Sequence, residues 1–250
     1  MKQYLALTCS ALARGVYGAA ANGPAIVTVQ LFEQGLHNTP KTLRQILQEQ
    51  IDAVPADTYD AILLVYGICG AATLGLVARH TPLVITRAHD CITLYLGSKD
   101  RYQQEFDASP GTYWYSQDYL ERGTSGFGGL GAANAGVMED LYKEYVEKYG
   151  QDNADYLMEA MGEWGAHYDR AAFIDTGMGE NNPFEQIARE QAERRGWRYE
   201  RVAGNRRLVN LLITGEWPDG EFLIVPPGWT TIQSGGDGLI KAVPLTESSS

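Results

Sequence analysis

Apolar residues along this chain follow two rhythms. Short β-branched or continuous apolar runs stand at 3–8, 25–31, 59–65 and 82–86. Each has the length and composition of a strand, and the unbroken run at 59–65 predicts a buried central strand of a parallel sheet. Between the second and third runs, Leu43, Ile46, Leu47 and Ile51 recur at helical spacing, which predicts a helix over 41–54. Thr39 is placed as its N-cap and Pro40 at its first position. The small-residue stretch 70–77 predicts the start of a helix packed tightly on the sheet. Residues 98–106 predict another, with Ser98 as cap and Asp100 in the first turn, where a negative charge suits the helix dipole.

The pattern changes after residue 111. Tyr113, Trp114, Tyr115 and Tyr119 crowd one short stretch, a glycine-rich run covers 123–136, and helical patterns follow over 137–149 and 153–164. From residue 171 the first rhythm returns, with strands predicted at 171–175, 198–202 and 222–225 and helices at 183–195 and 205–214. Asn182 before Pro183, with Glu185 in the first turn, marks a helix start. Strands alternating with helices of this length predict an α/β fold of right-handed βαβ units. The expected organisation is two Rossmann-like parallel-sheet halves with a cleft between them. The N-terminal half is 1–111, a helical, Gly-rich insertion or cap 112–168, the C-terminal half 169–232 and a tail 233–250.

Composition narrows the partners. Thirty-one acids against 20 bases give a net charge of −11 over 250 residues. Arg194-Arg195 and Arg206-Arg207 are isolated pairs, so no basic stripe offsets the repulsion of a polyanion, and nucleic acid is excluded as an expected partner. No apolar run approaches the ~20 residues of a membrane span. Met1-Lys2-Gln3-Tyr4 enters a strand directly without a tripartite signal, so the expected location is cytoplasmic. Homo-oligomerisation stays open.

Candidate chemistry gathers where predicted strands end. Cys9, Cys69 and Cys91 are the three cysteines of the chain, and each follows a predicted strand. If those strands are parallel neighbours, the sulfurs meet on one rim, where thiolates hold a metal or attack an electrophile. Three sulfurs with an open position suit an iron–sulfur cluster, the preferred cofactor. Two or three with a histidine suit zinc. The alternative is three small hydrophobes in a core. Arg87-Ala88-His89-Asp90-Cys91 sets His89 and Asp90 beside a thiol, as acid–base partners or, for Arg87 with Asp90, as a structural ion pair. On an extended chain His89 and Asp90 cannot both face the target of Cys91 without a bend. After the second strand, His37 is a candidate acid, base or ligand, whereas Glu33 reads better as loop polarity.

Asp175-Thr176-Gly177-Met178-Gly179 follows a predicted strand and precedes a helix, so Asp175, Gly177 and Gly179 form a candidate cofactor-binding turn that could cradle an anionic group. Pro226-Pro227-Gly228-Trp229 is expected to wall the same cleft or to be a tight turn. Gly126-Phe127-Gly128-Gly129-Leu130-Gly131 matches a dinucleotide fingerprint by letters alone. It lacks the strand–turn–helix context and no Walker A lysine motif is present, so no nucleotide cofactor is indicated. The Tyr113-Trp114-Tyr115 run reads as a packed strand rather than a stacking platform.

Tyr66-Gly67-Ile68-Cys69-Gly70 and Arg87-Ala88-His89-Asp90-Cys91-Ile92-Thr93-Leu94-Tyr95-Leu96-Gly97-Ser98, with Gly35-Leu36-His37-Asn38, Pro110-Gly111-Thr112-Tyr113 and Cys9, resemble the family known as domain of unknown function 1638. The likeness spans roughly residues 3–230. The chain differs from the family's look at Thr86-Arg87, where proline is expected before the arginine. The resemblance implies a cytoplasmic prokaryotic protein, often of anaerobes and sometimes encoded near corrinoid-dependent methyl-transfer genes, and carries no settled catalytic residues. The layout of the cysteines also looks like the cluster sites of quinolinate synthase and diphthamide synthesis proteins, an analogy that carries no function by itself. The expectation is a metalloprotein acting on a small molecule in one-carbon metabolism, with transferase or lyase-type chemistry and a corrinoid protein or methyltransferase as partner. The alternatives are a metal-free Cys/His thiol enzyme and a non-catalytic accessory protein of a corrinoid methyltransferase system.

Overall fold

The computed structural model describes residues 1–68, 71–122, 146–147, 150–151, 153, 168–179, 183–235 and 239–245. The chain is a mixed α/β protein in two compact units, residues 1–99 with 205–250, and residues 100–204. Its strands are β1 (Gln3–Cys9), β2 (Ile26–Phe32), β3 (Ala61–Val65), β4 (Leu83–Thr86), β5 (Thr112–Ser116), β6 (Arg170–Asp175), β7 (Arg198–Ala203), β8 (Phe222–Val225), β9 (Trp229–Gln233) and β10 (Ile240–Pro244).

In the first unit the strand order is β2-β1-β3-β4-β8. The first four strands are parallel, and β8 closes the sheet antiparallel to β4. The order 2-1-3-4 is that of doubly wound sheets, whose chain winds one way from β1 and the other way from β3. Strand β3, Ala-Ile-Leu-Leu-Val, is buried at every position, as its unbroken apolar run predicts for a central strand. One face, carrying Leu5, Leu7, Ile62, Leu64, Leu83 and Ile85, packs on α2 (Pro40–Asp52) through Leu43, Leu47 and Ile51. Helix α1 (Ala13–Asn22) lies against β1 and β2, and the helix at Arg207–Thr214 lies against β3, β4 and α1.

The second unit is a parallel sheet of order β5-β6-β7. Tyr113 and Tyr115, two apart and so on one face of β5, meet edge-on at 5.1 Å and pack with Phe173, Ala188 and Ala192. The aromatic run is therefore core, as the alternation predicts.

Three expectations change. Thr112–Ser116 is not part of an insertion but a strand of the second sheet, paired with β6. Residues 222–232 are not part of a C-terminal half; β8 returns to the first sheet, and 240–244 is a strand rather than a tail, because β9 and β10 form a hairpin beside β8. Residues 71–75 turn rather than open a helix. Ala71 and Gly75 have φ of +71° and +80°, which no helix accommodates. The segment is gripped from two sides instead. Gln48 of α2 exchanges a pair of hydrogen bonds with the backbone of Val77, and Arg44 donates to the Ala71 carbonyl at 2.6 Å. On the other side Gly75 and Leu76 donate to Thr231. The glycine-rich run and the helical patterns of 137–164, like Cys69 and Asn182, fall outside the described residues or largely so.

Candidate functional site

Because β2, β1, β3 and β4 are parallel, all four carboxyl ends open on one edge of the sheet. β1 ends at Cys9 and leads into a tight 3-10 turn, Ser10–Leu12. β2 leads through Glu33 into the turn Gln34–Asn38, which carries His37. β3 leads into Tyr66-Gly67-Ile68, with Cys69 next in the chain, and β4 into Arg87–Cys91. The reversal of winding falls between β1 and β3, where ligands lodge in open α/β sheets. Cys9, His37, His89 and Cys91 thus stand at a strand end of this rim or in the turn that follows one.

The loops are tied to one another. Ile68 donates its amide to the Ala88 carbonyl at 2.8 Å. A Cβ on Gly67 would lie 2.5 Å from Cα of Asp90, so the turns after β3 and β4 touch backbone to backbone. The chain bends at Asp90, which accepts from the Thr93 amide as N-cap of a short helix, α3 (Cys91–Leu96). That bend removes the extended geometry expected around Cys91 and places the thiol at the first helical position. From the same helix, buried Tyr95 donates its hydroxyl to the Ala11 carbonyl, holding the turn after Cys9. Arg87 sends its guanidinium to the carbonyls of Asp219, Phe222 and Ile240, which braces β4 against β8 and β10.

Cys9 and Cys91 are both half-buried, and neither is in a disulfide. Burial pushes the Cys9 thiol up to about 11, against the pull of the Ala11 amide. At pH 8 that leaves a thiolate fraction on the order of one in a thousand. In metal-free protein, alkylation of Cys9 by iodoacetamide at pH 8 is therefore expected to be ~100-fold slower than in the urea-unfolded chain. The gap should close as pH approaches 11, followed by peptide mass spectrometry. Equal rates in folded and unfolded protein would contradict the burial of this sulfur.

Desolvation raises the Asp90 carboxyl above its usual range, opposed by the Thr93 amide and by neighbouring His89, whose own ring is exposed. His37 donates Nδ1–H to the Gln34 carbonyl, which leaves Nε2 as the acceptor nitrogen of the neutral ring. Among the described residues, which do not include Cys69, no three or more His, Cys, Asp or Glu side chains assemble into a metal-binding group.

The other expected sites lie elsewhere. Asp175 ends β6 in the second unit, and Gly177 and Gly179 follow it. There Asp175 takes the Gly177 amide at 2.9 Å and an Arg201 nitrogen at 2.6 Å, so the donor expected to cradle an anion is used by the protein's own carboxylate. Pro226-Pro227-Gly228-Trp229 is the tight turn between β8 and β9, closed by Trp229 donating to the Pro226 carbonyl. Since β8 runs antiparallel, Val225 faces Leu83, at the opposite end of the sheet from the cysteine rim. Sequence reasoning passed over Gly67 and Tyr95. Asp90 and Gly97, the latter with φ of +80°, are the start and stop signals that would have revealed α3.

Comparison with known proteins adds a family. A family model described as a protein of unknown function, DUF1638, matches residues 31–213, a span that holds His37, Cys69, His89 and Cys91 but not Cys9. No curated protein matches the chain, and no solved structure matches it.

Proposed function

The chain belongs to the DUF1638 family, and we propose that in this member the rim of the first sheet is a thiolate metal centre. Cys9, Cys69 and Cys91 are its ligands, and an iron–sulfur cluster is preferred to zinc. The observation that carries this reading is the strand order. β1, β3 and β4 are adjacent and parallel, so the three cysteine-bearing loops leave neighbouring strand ends at the point where the winding reverses. Neighbouring strands lie ~4.8 Å apart, so the outer two loops start ~10 Å apart with the Cys69 loop between them. That is a span side chains can close around a cluster.

Three protein sulfurs leave one coordination position for a small molecule. A cluster there would act as a Lewis acid or electron carrier; zinc would activate a thiolate for methyl or acyl transfer. His37, His89 and Asp90 border the same rim and are the candidate proton carriers. One-carbon chemistry alongside a corrinoid protein or methyltransferase is the metabolic setting proposed for the reaction, in the cytoplasm. Among the described residues no helix is long and apolar enough to cross a membrane.

The test is metal and acid-labile sulfide analysis of anaerobically purified protein beside Cys9→Ser, Cys69→Ser and Cys91→Ser variants. Iron with sulfide, or stoichiometric zinc, is expected in the parent and lost or sharply reduced in each variant. A parent without metal, or metal retained in all three variants, would overturn the proposal. Rapid alkylation of Cys91 in a metal-free parent would point to the thiol-enzyme alternative.

A further inference from the structure

Among the described residues, the first sheet ends in a strand that carries none of the usual protection of a free edge. β2 reads Ile-Val-Thr-Val-Gln-Leu-Phe, with no charge, proline or glycine, and every residue is at least partly exposed; Ile26 is 52% exposed. Among the described residues its backbone pairs with β1 alone. Soluble proteins usually blunt such an edge with charge, proline or a bulge. The charged edge of the second sheet is an example within this chain, for β7 carries Arg198, Glu200 and Arg201.

The direction of the exposed backbone groups can be read from the ladder. The Ile26 amide donates to the Lys2 carbonyl, toward β1. In a parallel pair alternate residues point their N–H and C=O to the same side, so Val27, Val29 and Leu31 present theirs outward. A two-fold axis at Val29 then makes Val29 an antiparallel hydrogen-bonded pair with itself. It sets Val27 opposite Leu31, Ile26 opposite Phe32 and Thr28 opposite Gln30. Apolar residues face apolar ones and the two polar residues face each other, with about six backbone hydrogen bonds. The same register brings exposed Glu33 of one copy beside the start of β2 in the other, near Lys2, which pairs with Asp60 of its own chain at 2.7 Å. On a chain of net charge −11, an uncharged strand is a stretch where two copies do not repel.

We infer that two copies of this chain associate through β2, antiparallel about Val29, joining their five-stranded sheets into one of ten. The strand register is self-complementary only for a second copy, which selects that partner over an unrelated extended peptide. This inference does not depend on the metal centre, because β2 pairs through its outer edge and no cysteine takes part.

Sedimentation of the full chain under reducing conditions, from about 1 to 200 µM, is expected to give a concentration-dependent monomer–dimer equilibrium. Ile26→Lys combined with Thr28→Lys, both at exposed positions, should weaken it at least ~10-fold by setting unpaired charges against Phe32 and Gln30 of the second copy. Circular dichroism, and the melting temperature measured at about 1 µM where monomer dominates, should be unchanged. Val29→Cys, oxidised, should yield a disulfide-linked peptide joining position 29 to position 29, since hydrogen-bonded antiparallel partners lie ~5.5 Å apart between Cα atoms. A protein that is monomeric at 200 µM, a dimer indifferent to the lysine pair, or a Val29→Cys protein that forms no 29–29 link would each overturn the inference.

Discussion

Replacing Arg170 by methionine is expected to lower the stability of the second unit by ~3 kcal/mol, seen as a drop in the denaturant midpoint at pH 7. Arg170 opens β6 with its side chain only 3% exposed. Its guanidinium reaches Glu105 of α4 (Lys99–Ala108) and Glu200 of β7, each at 2.9 Å, and lies 5.6 Å from the ring centre of Trp114. Glu105 is 13% exposed and would keep only the more exposed Arg101, at 2.7 Å, so the methionine variant removes the buried partner of a nearly buried carboxylate. Glu200 is open to water and contributes little. The effect should therefore shrink when Glu105 is already glutamine, which a double-mutant cycle measures.

The pH profile supplies a second readout. Burial works against the charge of Glu105, but the guanidiniums of Arg170 and Arg101 outweigh it and hold the carboxyl below its usual range. A carboxylate depressed on folding contributes stability above its unfolded value of ~4.3, and that contribution disappears as pH falls through the lower folded value. Arg170→Met should flatten this acid limb. An unchanged slope would place the coupling elsewhere.

Gly67→Ala is expected to cost about 2–3 kcal/mol and to disturb the rim directly. The new Cβ would stand 2.5 Å from Cα of Asp90 and 2.7 Å from its N and C, all backbone atoms, so no side chain can swing aside. One of the two turns must move, and Asp90 is the cap on which α3 begins. Thermal melting should shift down by several degrees, and the alkylation rate of Cys91 should change with it. Gly35→Ala is the control, because a Cβ there meets nothing within 4 Å. A Gly67→Ala protein as stable as the control would mean that the turns after β3 and β4 are not in contact.

Local pattern was enough for the elements whose fate rests on their own residues. Each strand end that bears Cys9, His37 or Cys91 was legible because apolar runs and the residues that follow them are neighbours in sequence. The helix Pro183–Arg195 is legible for a like reason, its proline start preceding a helical run. What failed was what depended on distant partners. Residues 71–77 have helix-compatible composition, yet Gln48, Arg44 and Thr231 hold their backbone in turns and a bridge. The aromatic stretch at 112–116 looked foreign to its surroundings because β6 and β7, which complete its sheet, lie more than fifty residues away.

The sequence by itself therefore determined that this is an α/β chain with thiols and histidines at, or shortly after, the ends of its apolar runs, since strand propensity and loop chemistry are local properties. Only tertiary structure decided which strands are neighbours. It put β3 between β1 and β4 and so set the cysteine loops side by side, and it reversed β8 and sent Pro226–Trp229 to the far end. It also pressed Gly67 against Asp90. Strand order and close backbone approach are settled by burying apolar faces across the whole unit, a condition that no short window of sequence contains.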